Sequence, residues 1–181
     1  MTRGMQMSWW DSYRAVYGAE LRAAAREFSD HGWPVVAGSG LLLVTGTVLD
    51  VVEVREDHGR RICARLRGAG EVVPVAAAPG SWWFPVRAGG VLVERPGITV
   101  HTGGAAVLAP PSELADGWVH WRVAPASTGY RLPTIDTIAA AIAETITEVA
   151  AGALPPGDRD PGPGAQRPVA AGVRDAVLMR R

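Results

Sequence analysis

Two carboxylates, Asp50 and Glu53, interrupt the most strand-like stretch of the chain, residues 48–54. Charge in so apolar a setting is costly to bury without a partner, so these acids are the first candidates for catalytic groups. Side chains alternate along a strand. Residues three apart therefore point to opposite faces, and Asp50 and Glu53 could share a metal ion only across a bulge. Glu53 and Arg55 do share a face, and the plainer reading is an ion pair of Glu53 with Arg55 or with a helix at the strand end. Arg55, Arg60, Arg61, Arg65 and Arg67 then fall within thirteen residues. Guanidinium groups bind phosphates in a fork geometry, which makes Arg55, Arg61 and Arg65 nucleic-acid-binding candidates. The competing reading is a solvated helix face, partly neutralised by Glu56, Asp57 and Glu71.

Other chemistries find less support. The four histidines, His31, His58, His101 and His120, show no i, i+4 pair of the kind that binds zinc on a helix, and no metal site is expected from them. Cys63 is the single cysteine. It excludes an intramolecular disulfide, and its apolar neighbours suggest inert packing. Ser39, between Gly38 and Gly40, lacks the spacing of a nucleophile elbow. All 18 basic residues are arginine, which rules out a P-loop lysine and a Schiff-base lysine. Seven tryptophans are many for this length. Trp118 and Trp121 are three apart, so at most one of them faces the core, and an exposed tryptophan can stack a base or hold a partner.

The elements that must position these groups can be read from periodicity. Residues 12–30 form a first helix with Leu21, Ala24, Ala25 and Phe28 on one face and Gly32 as its stop. Strands are expected around 35–36, within 41–54 with a turn at Gly46, and at 81–86, 91–94, 98–101, 105–109 and 118–123, separated by Gly or Pro turns. Residues 72–75 read as an edge strand, because Pro74 cannot donate to a ladder. A short helix is expected over 59–67. Thr134 is the expected N-cap of a last helix whose face is lined by Ile135, Ile138, Ile142, Ile146 and Val149. This order predicts an α+β fold, a small mixed or antiparallel sheet with packed helices.

The chain has 181 residues, 22 glycines, 14 prolines and no formal net charge. That balance argues against a generally basic nucleic-acid binder, although a local patch remains compatible with it. The expected division is one domain over 12–151 and a flexible, disordered Pro/Gly-rich tail over 152–181. No signal peptide or membrane span is expected, and the expected location is cytoplasmic.

One segment resembles a known family. Thr99-Val100-His101-Thr102-Gly103-Gly104, followed by Ala105 to Ala109 and Pro110-Pro111-Ser112, is similar to the Gly-rich turn, apolar strand and Ala-Pro-Pro-Ser of the N-terminal domain of bifunctional DNA primase/polymerases, the prim-pol branch of the archaeo-eukaryotic primases. Gly32-Trp33-Pro34-Val35, Val44-Thr45-Gly46, Val51 to Val54, Trp118 to Arg122 and Leu132-Pro133 fall in the family's order. The likeness spans roughly 21–151. It implies a primase-polymerase-like, RRM-like core.

The resemblance also implies where a metal site would stand. The family's first acid falls on Glu53, its second on Arg55, its histidine on Trp82 and its last acid on Thr99. Only Glu53 keeps its chemistry, and metal ions are what clamp phosphates in phosphoryl transfer. The implied function is that of a degenerate member, a non-catalytic nucleic-acid- or nucleotide-associated protein. The alternatives are an active nucleotidyltransferase using Glu53 with Asp50 on a bulged strand, or a protein-interaction scaffold. No cofactor is expected, with magnesium or manganese needed only if the chain is active. DNA, a nucleotide or a protein is the expected partner, and no membrane.

Overall fold

The computed structural model describes residues 18–150 and Gly152. The start of the expected first helix, Trp9, Trp10 and the tail beyond Gly152 lie outside the described residues. The elements run α1 (Ala19–Asp30), β1 (Val35–Ala37), β2 (Leu41–Val44), β3 (Leu49–Arg55), α2 (Glu56–Gly68), β4 (Val75–Ala78), β5 (Ser81–Arg87), β6 (Ile98–His101), β7 (Ala106–Ala109), β8 (Ser112–Leu114), β9 (Gly117–Val123) and α3 (Ile135–Ala150). The fold is α+β, with two antiparallel sheets. The smaller has the order β1-β2-β7 and the larger β6-β3-β5-β4-β9-β8.

The large sheet is covered on both faces, which is why its central strands are apolar at nearly every position. Val52 and Val54 of β3, Val75 and Ala77 of β4, and Trp82, Phe84 and Val86 of β5 join one core with Ile62, Cys63 and Leu66 of α2 and Ile135, Ile138 and Ile142 of α3. Leu49 and Val51, Ala76 and Ala78, and Trp83 project to the other side. There they meet Leu21, Ala24 and Phe28 of α1, Leu41 and Leu43 of β2, and Trp121 of β9. The two helices expected on the sheet thus serve different cores. Arg65 ties α2 to α3 through Glu144 at 2.7 Å and through Glu148. The Thr134 hydroxyl caps α3 by accepting from the Thr137 N–H at 3.4 Å.

Two expectations are corrected, and one strand is added. Residues 72–75 do not form an edge strand. The strand starts at Val75, past the proline, and lies between β5 and β9. Residues 91–94 form no strand, and β3 could not have taken them, being already paired with β5 on one side and β6 on the other. Val91 and Val93 are exposed. A strand over Ser112–Leu114, hidden behind two prolines, was not foreseen. Among the described residues no helix is long and apolar enough to cross a membrane.

Candidate functional site

β3 pairs with β5 one-to-one from Leu49↔Arg87 to Arg55↔Ser81. No bulge interrupts it, so Asp50 and Glu53 stay on opposite faces. Asp50 is buried beside the α3 core. Its Oδ2 accepts from the Gly89 N–H at 3.1 Å, and its Oδ1 has no hydrogen-bond partner. The register of the strand that carries both thus does not bring Asp50 and Glu53 together.

Glu53 stands on the other face, facing Thr99 of β6 and Trp83 of β5. The expected Glu53–Arg55 pair is not formed. The Ser81 hydroxyl donates to Glu53 Oε1 at 2.7 Å, and His101 Nε2 lies 2.6 Å from Oε2. Ser81 and His101 are diagonal neighbours across the ladders, within reach of a long side chain. Arg55 instead binds Asp57 at 2.7 Å. Burial alone raises the Glu53 pKa. The Ser81 hydroxyl, His101 and the nearby Trp83 indole outweigh it and hold the carboxyl below its ordinary 4.5. The indole contributes although it closes no hydrogen bond of normal geometry.

A depressed folded-state pKa contributes stability above the unfolded-state value that is lost as pH falls through the folded-state value. Wild type should therefore lose more thermal stability than Glu53→Gln between about pH 6 and about pH 3. Equal losses in a melting series would refute this.

The positions carried over from the resemblance divide between the two faces. Glu53 and Thr99 are in register, with Arg55 two residues on. Trp82 pairs with Val54 and projects to the opposite side, so it does not join them. Glu53 has a guanidinium where a second acid would be needed, and its oxygens are bonded to Ser81 and His101. This donor set does not fit a pair of magnesium ions, which favour several carboxylate and water oxygens. Among the described residues no group of three or more His, Cys, Asp or Glu is placed to hold a metal.

The arginine run is largely neutralised within the chain. Arg65 is held by Glu144 and Glu148, Arg60 pairs with Glu56 one turn earlier, and Arg61 acts electrostatically on Glu148. Arg61 and Arg65 share a face of α2, as their spacing predicts, but that face looks toward the acids of α3. They do not form the open phosphate-binding surface expected for Arg55, Arg61 and Arg65.

A concave feature lies where β4, β5, β9 and the first turn of α2 meet. A cavity of about 460 Å³ is lined by Glu56, Arg60, Trp82, Trp118, His120 and Arg122, with Ala77, Ala78 and Pro79 between them. Trp118, His120 and Arg122 stand at i, i+2 and i+4 on β9 and so share one face, while Val119 and Trp121 are buried on the other. The Arg122 guanidinium lies 5.4 Å from the centre of the Trp82 ring, within cation–π range. Trp82 is also packed closely against Gly59 of α2. Burial pushes the His120 imidazole down and the Arg122 charge adds to this, against the Trp118 backbone contact, so His120 is neutral near pH 7. Sequence reasoning counted the tryptophans but missed the cavity. The alternation of Trp118, His120 and Arg122 was its readable signal. Arg60 and Trp82 come from strand pairing and helix docking, which no local pattern reveals. No family model, curated protein or solved structure matches this chain.

Proposed function

We propose that this chain is a primase-polymerase-like domain with an eroded metal site, which associates with nucleic acid or nucleotide without turning it over. The observation that carries the reading is the cavity in which Trp82 and Trp118 meet Arg60, His120 and Arg122. Base–aromatic stacking contributes about 1–3 kcal/mol per base, and guanidinium groups match phosphate oxygens. The reading without turnover is supported by Glu53, whose carboxylate is bonded to Ser81 and His101 with Arg55 as its neighbour on the strand face. An active nucleotidyltransferase built on Asp50 with Glu53 is disfavoured by their placement on opposite faces.

The test is direct. A labelled single-stranded oligonucleotide should bind the full chain and quench tryptophan fluorescence. Primer extension and de novo primer synthesis with magnesium or manganese should give no product. Template-dependent product that disappears in Glu53→Ala would overturn the non-catalytic reading. If neither binding nor product is found, a protein-interaction role is the reading left, favoured by the exposed Val91 and Val93.

A further inference from the structure

We propose that the cavity between β4, β9 and the start of α2 takes a single nucleotide unit, one base with one phosphate, rather than a run of polymer. The inference rests on the nucleotide-associated reading above and narrows it.

Size is the first argument. A volume of about 460 Å³ lies in the lower part of the range of small-molecule sites, roughly 300–1,000 Å³. It suits one nucleotide and not a stacked series. Stacking surface is the second. Trp82 has Gly59 against one side and Arg122 over its ring. Trp118, partly exposed on β9, is the ring left to meet a base. One platform serves one base.

Charge is the third argument. Arg60 and Arg122 line the cavity, Glu56 offsets Arg60, and His120 is neutral near pH 7. The sum is one positive charge, enough for one phosphate. Arg122 makes no ion pair among the described residues. It can hold a phosphate while its planar group stays on the Trp82 ring. A polymer-binding groove needs cations that follow the backbone. Several arginines at and along the start of α2 are already engaged, Arg55 by Asp57, Arg60 by Glu56 and Arg65 by Glu144 and Glu148.

The same chemistry is offered by a free nucleoside monophosphate and by the phosphorylated end of a strand. The experiment separates them. The full chain is titrated, with tryptophan fluorescence as readout, against nucleoside 5′-monophosphates, nucleosides, inorganic phosphate, and single strands of about 4, 8 and 16 nucleotides with and without a 5′-phosphate. Monophosphates should bind, and removing the base or the phosphate should weaken binding at least about tenfold, or roughly 1.4 kcal/mol. Any strand that binds should do so through its phosphorylated end, with no gain from length and a salt slope close to one phosphate contact. If the ligand is the free nucleotide, no strand competes. Trp118→Ala and Arg122→Ala should each weaken monophosphate binding at least about tenfold while melting near wild type, since neither side chain is buried. Affinity that climbs with strand length and a salt slope of several phosphates would overturn the single-unit site and leave the nucleic-acid reading intact. Inorganic phosphate binding as tightly as a monophosphate would also overturn it. Failure of every nucleotide and strand to bind would overturn both.

Discussion

Alanine at Phe84 lowers stability by about 3–5 kcal/mol, the usual cost of removing a buried phenyl ring, and the melting temperature by roughly 10–15 °C. Phe84 is fully buried on β5, opposite Val52 of β3. It belongs to the core where the large sheet meets both α2 and α3. The ring therefore sits in a core shared by two helices and four strands, and the void it leaves is bounded by elements whose hydrogen bonds resist collapse. Cavity cost grows when the surroundings cannot relax, which places this variant toward the upper end of the range. Val91→Ala is the control. It removes more hydrophobic surface than a typical polar exchange, but from an exposed position, and should change stability by less than about 0.5 kcal/mol. Thermal or urea unfolding of both variants checks the pair, and a Phe84→Ala protein melting within a few degrees of wild type would show that the two-helix face is not the principal core.

Gly59→Ala destabilises, against its own helix propensity. In an open helix position alanine gains up to about 1 kcal/mol over glycine. At Gly59 an added Cβ would meet Trp82 Cγ at 2.4 Å, closer than atoms tolerate. Trp82 cannot swing away, because it is buried in the sheet–helix core with Arg122 over its ring. Either α2 lifts or the indole turns, at about 1–3 kcal/mol for such overpacking. The movement also reaches the cavity, since Trp82 forms part of its wall, so ligand affinity should fall with stability. Gly68 closes the comparison. Nothing lies within 4 Å of its would-be Cβ, and Gly68→Ala near the end of the same helix should be neutral or stabilising. Opposite signs for two Gly→Ala changes in one helix identify packing as the cause, and stabilisation by Gly59→Ala would contradict the close approach.

Much of the fold was legible in the sequence where a segment's own pattern decided its state. The apolar run of 48–54 became β3 (Leu49–Arg55), Ile98–His101 fell where the alternation put it, and Thr134 caps α3. The failures occurred where pairing overrode pattern. Residues 91–94, set off by Gly and Pro turns, read as a strand, but β3 had no free edge to offer them. Ala76 to Ala78 are weak strand formers, yet they lie between β5 and β9 because their small side chains fit between tryptophan-bearing strands. The site was legible only in its ingredients. Glu53 stood out in the sequence, but its partners Ser81 and His101 lie 28 and 48 residues away, and their meeting depends on register. The arginines of α2 were equally visible, while the carboxylates of α3 that engage Arg65 come from the far end of the fold.

The floor of the cavity is the alanine strand itself, β4, hydrogen-bonded on both sides in the middle of the large sheet. A site resting on central ladder positions opens only when the sheet does, unlike one framed by loops, which fray independently of the core. Ligand binding there is linked to global unfolding. Occupancy should raise the free energy of unfolding by the full mass-action amount, about 2.7 kcal/mol at a hundredfold excess over the dissociation constant. Amide exchange in β4 and β9 should slow by a matching factor, so the protein's own melting curve serves as a binding assay.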